Sequence, residues 1–427
     1  YCKVRRAKMQ EISSVFSVLS IFFLCLFALA SLPRLIWTIC LVKKERRPAP
    51  AERKNRYGIL ICARNEETVI GRLIDSIAAQ DYPAENLKVF VAADNCTDRT
   101  AEVARAHGAA VLERQNQDQI GKGYAMEALY EFARKDEFCR DIAGYFVFDA
   151  DNILDSHFID RINDYVAVGY SLCKGFRSTV NFTDGFLSES YGIYFMTECG
   201  IFDRGRARMG STTLVTGTGF FIARSILERE NGWHYFTLSE DTELTFDQYL
   251  KGETVGYCHD AIFYDEQPTD FSTSVRQRKR WIKGTMQAFC RYAGGLFRAL
   301  FSRRFPSAYD LIAQTGMMYI LTGCATIVTL LDFFWKLAVN PLEALTGLIS
   351  YFASLYFGSF LLALVTAIGC RRRIPLSRGR LFLAMLRYPF FMMTFIPITL
   401  GVMFGAKVEW KPIPHGSGTV SLPDEQA

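Results

Sequence analysis

Tyr145-Phe146-Val147-Phe148-Asp149-Ala150-Asp151-Asn152 is the stretch that decides the fold. Alternate side chains of a strand point to opposite faces. Here both alternations are apolar, so the run reads as a parallel strand covered on both sides. It stops abruptly at two aspartates one residue apart. A sharp turn at the strand's carboxyl edge can bring Asp149 and Asp151 to one site. Paired carboxylates repel and are costly to bury, and a cation between them removes that cost. Such hard oxygen ligands suit Mg²⁺ or Mn²⁺, which fill their shells with water and substrate phosphates. On these eight residues alone a solvated, helix-capping pair is the commoner outcome. The rest of the chain raises the metal reading.

Outward from this stretch the same pattern repeats. Gly58-Ile59-Leu60-Ile61-Cys62 is a short apolar run followed by Ala63-Arg64-Asn65-Glu66-Glu67. Apolar residues at Val69, Leu73, Ile74 and Ile77 then have helical spacing. Leu87 to Ala93 is a second strand, ending in Asp94-Asn95-Cys96-Thr97-Asp98, and a third lies near Val111, before Gly121-Lys122-Gly123. Strands alternating with helices predict a parallel α/β sheet with helices on both faces. In such sheets ligands bind beyond the carboxyl ends of the strands, where all three polar clusters fall. Further on, Val215-Thr216-Gly217-Thr218-Gly219 allows close backbone approach. Thr237-Leu238-Ser239-Glu240-Asp241 precedes a helix, with Ser239 as its expected N-cap and acidic residues at its positive end.

The flanks are of a different kind. Residues 13–42 are almost uncharged, Arg34 apart, and long enough to span a bilayer, which takes about 20 residues. Ala28-Leu29-Ala30 resembles a signal-peptidase site, but the apolar run continues past it, so an uncleaved anchor is expected. Lys43, Lys44, Arg46, Arg47, Arg53, Lys54 and Arg56 lie after it; Lys3, Arg5, Arg6 and Lys8 precede it. This bias places the domain after the anchor in the cytosol. Three more apolar runs, at about 309–334, 343–369 and 381–406, are separated by a nearly uncharged turn at Asn340-Pro341 and a basic loop from Arg371 to Arg380. The last contains Arg387, Pro389 and Pro397 and is expected to kink or re-enter. Between domain and bundle, Arg276, Arg278, Lys279, Arg280 and Lys283 surround Trp281, with Ile282, Met286 and Phe289 as an apolar stripe. That pattern reads as a helix lying on an anionic membrane surface. The expected organisation is a tail (1–12), a membrane helix (13–42), a basic linker (43–56), a cytosolic domain (57–270), interfacial helices (271–304), membrane helices (305–406) and a tail (407–427). The chain opens on Tyr1, as expected of a sequence lacking its natural start.

Composition narrows the function. A net charge of +5 in 427 residues is weak for nucleic-acid binding, and the basic residues flank apolar runs instead of lining a polar face. Twelve cysteines show no C-x-x-C pair and five histidines are dispersed, which gives neither a zinc site nor a disulfide framework. The sequons at Asn95 and Asn181 fall in the expected cytosolic domain and are discounted as glycosylation sites.

Taken in order, Asp94, Asp149-Ala150-Asp151, Glu240-Asp241 and Gln277-Arg278-Lys279-Arg280-Trp281 resemble the motifs of the membrane-integrated family-2 glycosyltransferases, the cellulose, hyaluronan and poly-N-acetylglucosamine synthases and their relatives. The resemblance covers about Tyr57 to Gly284. It implies a Rossmann-like nucleotide-sugar-binding domain of GT-A type flanked by transmembrane helices, in the cell membrane. It further implies that Asn65, Glu66, Asp94, Lys122, Asp149 and Arg280 bind a UDP-sugar, with Asp94 at the uracil. Asp151 and Asp149 would hold Mg²⁺ or Mn²⁺. Asp241, beside Glu240, would be the general base, and Gln277, Trp281 and the Gly217-Thr218-Gly219 loop would meet the acceptor. The family often carries two aspartates where this chain has Ala93-Asp94. Lys122 reads equally as a solvated helix-start lysine. The reaction implied is an inverting hexosyl or N-acetylhexosaminyl transfer onto a growing polysaccharide at the cytosolic face. The alternative is addition of one sugar to a membrane lipid, such as diacylglycerol or a polyprenyl phosphate. A transporter or receptor is disfavoured by the ordered acidic motifs.

Overall fold

The computed structural model describes residues 2–45 and 47–408; side chains are described for residue 12 and from residue 14 on. Arg46, the flanking side chains of Lys3, Arg5, Arg6 and Lys8, and all but the first two residues of the expected 407–427 tail lie outside that description. The central domain is built on eight strands: β1 (Tyr57–Ala63), β2 (Leu87–Asp94), β3 (Ala110–Arg114), β4 (Gly144–Asp149), β5 (Ile153–Leu154), β6 (Leu172–Thr179), β7 (Phe220–Ala223) and β8 (Val255–Asp265). They form one sheet in the order β3-β2-β1-β4-β7-β6-β8-β5.

The first half of the sheet is parallel, as expected. Cys62 pairs with Asp149 and Ala63 with Ala93, so β1, β2 and β4 end together. The second half is not. β7 runs antiparallel to both β4 and β6, while β6 and β8 are parallel. The sheet is mixed because Phe220–Ala223 lies beside β4 and runs against it, Gly144 pairing with Ala223 and Val147 with Phe220. In β4, Phe146 and Phe148 face a core with Ile59, Ile61, Leu73 and Phe158, while Tyr145 and Val147 face one with Leu60, Phe90, Met126 and Leu129. Both faces of β4 are therefore dry, and its polar groups are confined to its end.

Among the described residues four helices are long and apolar enough to cross a bilayer: Ser14–Cys40, Phe305–Leu337, Pro341–Gly369 and Arg378–Met403. The first belongs to a longer helix that starts at Cys2. The third opens on Asn340, whose side chain accepts from Glu343 N, with Pro341 at its first position. The fourth breaks at Thr394, between helices Arg378–Met393 and Phe395–Met403. Pro397 explains the break, since it offers no N–H to the Met393 carbonyl and its ring crowds that group. Pro389 is tolerated inside the first half.

A buried ion network ties sheet to bundle. Lys174 of β6 pairs with Asp203 at 2.9 Å, Asp203 with Arg206 at 2.8 Å, and Arg206 with Asp310 of the second apolar helix at 2.7 Å. Each side chain is at most 3% exposed. Removing one partner of such a network strands a buried charge, at a cost of about 3–5 kcal/mol. Arg206→Ala is therefore expected to lower stability by about that amount, read from thermal unfolding in detergent. A change below about 1 kcal/mol would show that the network carries no load.

One cation of the Phe271–Ala299 helix is turned inward, away from the basic face expected from its composition. Arg278 is fully buried. Its guanidinium lies 4.6 Å from the Phe391 ring centroid and 4.8 Å from that of Phe395, and it donates to Thr394 Oγ1. Two aromatic faces and the Thr394 hydroxyl at the helix interruption give this cation partners in place of water.

Candidate active site

The strand ends converge on a cavity of about 320 Å³. Asp94, Asp149 and Asp265 are the last residues of β2, β4 and β8, and all three line it. Asp151 stands within the turn after β4. Glu240 and Asp241 open the Glu240–Leu250 helix, and Gln277, Arg280 and Trp281 enter from the Phe271–Ala299 helix.

The loop under the cavity is fixed by backbone geometry. Gly217 and Gly219 have φ of +82° and +66°, a region costly for other residues. An added Cβ on Gly219 would overlap the Phe263 ring. Between them Thr218 is stitched to β4: Asp149 N donates to Thr218 Oγ1 at 2.9 Å, Gly219 N donates to Val147 O at 2.9 Å, and Thr218 Oγ1 donates to Asn152. Gly217 O accepts from Lys122 Nζ at 2.7 Å.

Lys122 is the hub of the charged groups. Its ammonium sits 2.5 Å from Asp149 Oδ1 and 3.7 Å from Glu240 Oε1. Burial works against its charge, but Asp149 and Glu240 overcome this and hold its pKa above the ordinary lysine value. The solvated helix-start reading of this residue is thereby set aside. Burial pushes Glu240 up to about 7; Lys122 opposes the shift and Asp241 adds to it. Burial also raises Asp241, against the Thr242 N–H, which donates to Asp241 Oδ1 at 2.7 Å. Oδ2 is left facing Gly217, where a Cβ would stand 3.7 Å away. Ser239 occupies the N-cap position without a side-chain cap bond, contrary to expectation. Glu243 instead anchors the segment leading into the helix: it is fully buried and accepts from Phe236 N and Thr237 N at 3.0 and 2.9 Å.

Residues 55–284 match the family described as Glycosyltransferase like family 2. The match takes in more than half of the 427 residues. The chain belongs to the family-2 glycosyltransferases. It is 26% identical over 254 residues to a Bacillus subtilis protein named probable glycosyltransferase YdaM, covering 57% of this chain and 58% of that one. It is 26% identical over 313 residues to a β-monoglucosyldiacylglycerol synthase of Synechocystis, covering 70% and 62%. The chain thus spans less than two thirds of either relative's length. In fold it is similar to the mannosyltransferase PcManGT of Pyrobaculum calidifontis, solved with GDP-Man and Mn²⁺, at a TM-score of 0.60 and 16% identity over 88% of this chain and 99% of that one. The domain is of GT-A type.

Within this glycosyltransferase fold most of the residues singled out from sequence meet at one cavity. Glu66, Asp94, Lys122, Asp149, Asp151, Gly217, Glu240, Asp241, Gln277, Arg280 and Trp281 all line it. Asn65 does not. It takes φ +59° at the end of β1, and its carboxamide oxygen accepts from Thr97 N at 2.8 Å, tying two strand-end loops together. Thr218 and Gly219 lie behind the lining as its support. The Asp94 carboxylate is held by Arg114 at 2.5 Å, a partner its sequence gives no reason to expect. Trp281 meets Tyr191 and Phe195 edge-on, with centroids 6.1 and 6.0 Å away.

Sequence reasoning also missed Asp265 and its partner Arg177, both in the lining. Asp265 is 2% exposed and paired through Oδ2 to Arg177. Its Oδ1 is buried with no hydrogen-bond partner among the described residues. Burial raises its pKa, Arg177 opposes this, and Asp149 adds to it. Arg177 in turn feels both Asp149 and Asp151. Among the described residues no three His, Cys, Asp or Glu side chains stand close enough to enclose a metal by themselves. The donor set is that of an open site, two hard carboxylates with a third, partly unsatisfied one beside them. Such a set fits Mg²⁺ or Mn²⁺, which keep positions for water and phosphate oxygens.

Proposed function

We propose that this glycosyltransferase moves one hexose or N-acetylhexosamine from a UDP-sugar to a hydroxyl of a membrane lipid, inverting the anomeric centre to give a β-linkage. The observation that carries the acceptor class is the course of the cavity. It runs from the strand ends to Arg34 of the first apolar helix and Gln314 and Tyr319 of the second, so an acceptor anchored in a bilayer has a continuous polar path to Asp241. The apolar windows of the first and third helices are only 6% buried within the chain, which leaves their faces to lipid. The similarity to a lipid glucosyltransferase supports the same reading. The basic residues around 43–56 and 371–380 favour the cell membrane with the 57–270 domain on its cytosolic face.

In this reading Asp94, with its Arg114-held carboxylate, receives the uracil, and Glu66 and Arg64 border the same end. Asp151 and Asp149 would hold Mg²⁺ or Mn²⁺, which when bound neutralises charge on the diphosphate. Asp241 Oδ2 accepts the proton of the acceptor hydroxyl as its oxygen bonds to the anomeric carbon. The bond from that carbon to the diphosphate oxygen breaks, and its electrons leave with the nucleoside diphosphate. Lys122 and Arg280 face the developing negative charge. Trp281 offers an apolar edge to a sugar or glycerol moiety.

A second reading, repeated transfer onto a polysaccharide, is favoured by the Gln277-x-x-Arg280-Trp281 pattern. Purified full chain in nanodiscs, given a panel of radiolabelled nucleotide sugars, separates the two by product size. One sugar on an extractable lipid supports the proposal, and polymer of many sugars overturns it.

A further inference from the structure

The far end of the cavity is built differently from its catalytic end. Two π-helical turns, Thr197–Asp203 and Ala313–Met317, both contribute to its lining. Such turns are rare and concentrate at functional sites, because the added residue re-aims side chains. Here they deliver Glu198 and Gln314, opposite Arg34, with Tyr319 one turn beyond. Gln314 is already engaged, accepting from Arg206 Nη2 at 3.1 Å. Glu198, Arg34 and Tyr319 are not. Among the described residues none of their side chains makes a hydrogen bond or an ion pair, and Arg34 only rests over the Phe202 ring at 5.6 Å. Burial raises the Glu198 carboxyl and Arg34 lowers it, so the two charges feel each other without touching. A half-buried carboxylate, guanidinium and phenol opening on one cavity are costly unless something hydrogen-bonds to them.

We propose that Arg34, Glu198 and Tyr319 form a headgroup subsite for the acceptor lipid, selective for a neutral headgroup bearing hydroxyl and ester groups, as in a glycerolipid. The subsite rests on the lipid-acceptor reading. Its chemistry is set by the charges. One cation and one anion cancel, so the pocket has no net field to attract a phosphate, and Glu198 repels one. A hydroxyl can donate to Glu198 while ester carbonyls accept from Arg34 and the Tyr319 hydroxyl. These groups lie on the path from the apolar helices to Asp241, so binding there would orient a lipid with its acyl chains toward the helices and its hydroxyl toward the base.

The test uses the full chain in phosphatidylcholine nanodiscs with its preferred nucleotide sugar. Dioleoylglycerol and undecaprenyl phosphate serve as competing acceptor probes. Glu198→Gln and Arg34→Gln are each expected to raise the KM for dioleoylglycerol about tenfold, with kcat at saturating acceptor within about threefold of wild type. Tyr319→Phe removes a single hydroxyl and serves if a charge variant fails to insert; its expected rise in KM is about threefold. Nucleotide binding checks that each variant is folded. An unchanged dioleoylglycerol KM in the inserted variants overturns the subsite and leaves the lipid-acceptor reading standing. Wild-type transfer to undecaprenyl phosphate and not to dioleoylglycerol overturns the neutral-headgroup assignment. Absence of transfer to either lipid, with transfer to a soluble glycan, overturns the lipid-acceptor reading and the subsite with it.

Discussion

Asp241→Asn is expected to cut turnover by about 10²-fold or more while the dissociation constant for the nucleotide sugar stays within about threefold of wild type. The expectation rests on where the carboxylate stands. One oxygen is held by the Thr242 N–H at 2.7 Å, and the other faces Gly217 across the cavity. The ion pairs at the donor end run through Lys122 to Asp149 and through Arg177 to Asp265, and they do not include Asp241. Removing its charge therefore leaves the donor's partners in place and removes the acceptor of the proton. The pH dependence carries the same assignment. Burial raises the Glu240–Asp241 pair, with Glu240 at about 7. A general base works deprotonated, so kcat/KM should fall on the acid side as Asp241, raised above the ordinary aspartate range, takes up its proton, and level off above it. Equal losses of nucleotide binding and turnover in Asp241→Asn would instead make Asp241 part of the donor site.

How much of this was legible in the sequence depends on whether a residue's partners are local. Asp94 and Asp149 could be read because each ends an apolar strand, and the strand's periodicity places its last residue at the sheet edge. Asp265 ends β8 in the same way, but its strand alternates less cleanly and carries no second carboxylate at a telling spacing. Its partner Arg177 is 88 residues away in sequence. The same holds for Lys122. Its own helix start looks solvated, and only the docking of Gly217 and Asp149 against it makes it buried. The mixed half of the sheet was missed because Phe220–Ala223 is too short to announce its direction. Arg278 read as a surface cation since composition cannot show that Phe391 and Phe395 would close over it. Arg34 and Glu198 were visible as isolated charges, but their meeting depends on π-helical geometry that has no signature in this chain.

Asp151→Asn carries the other large effect, and it differs from Asp149→Asn in a way that makes it the better test. Asp149 is bonded to Lys122 at 2.5 Å, so changing it also frees a buried ammonium and disturbs the contact to Gly217 O. Asp151 contacts the neighbouring Asn152 Nδ2 at 3.1 Å and sits in the turn beyond the strand, so its substitution leaves the Lys122 network whole. If Asp151 and Asp149 together hold a divalent cation on the diphosphate, Asp151→Asn should abolish measurable transfer in folded, inserted protein. Loss of one of two carboxylate ligands weakens a hard-cation site directly, and the leaving diphosphate then departs without its main charge partner. Wild-type activity should depend on added Mg²⁺ or Mn²⁺ and vanish in chelator. Titration of Mn²⁺ binding in the presence of nucleotide, followed by electron paramagnetic resonance, should show weakened binding in Asp151→Asn. The mutant's thermal unfolding should match wild type within a few degrees, because the side chain is half-buried in a turn outside the apolar core. Full wild-type activity in chelator, or an active Asp151→Asn enzyme with unaltered Mn²⁺ binding, would remove the metal from the mechanism and leave Lys122, Arg177 and Arg280 as the charge partners of the diphosphate.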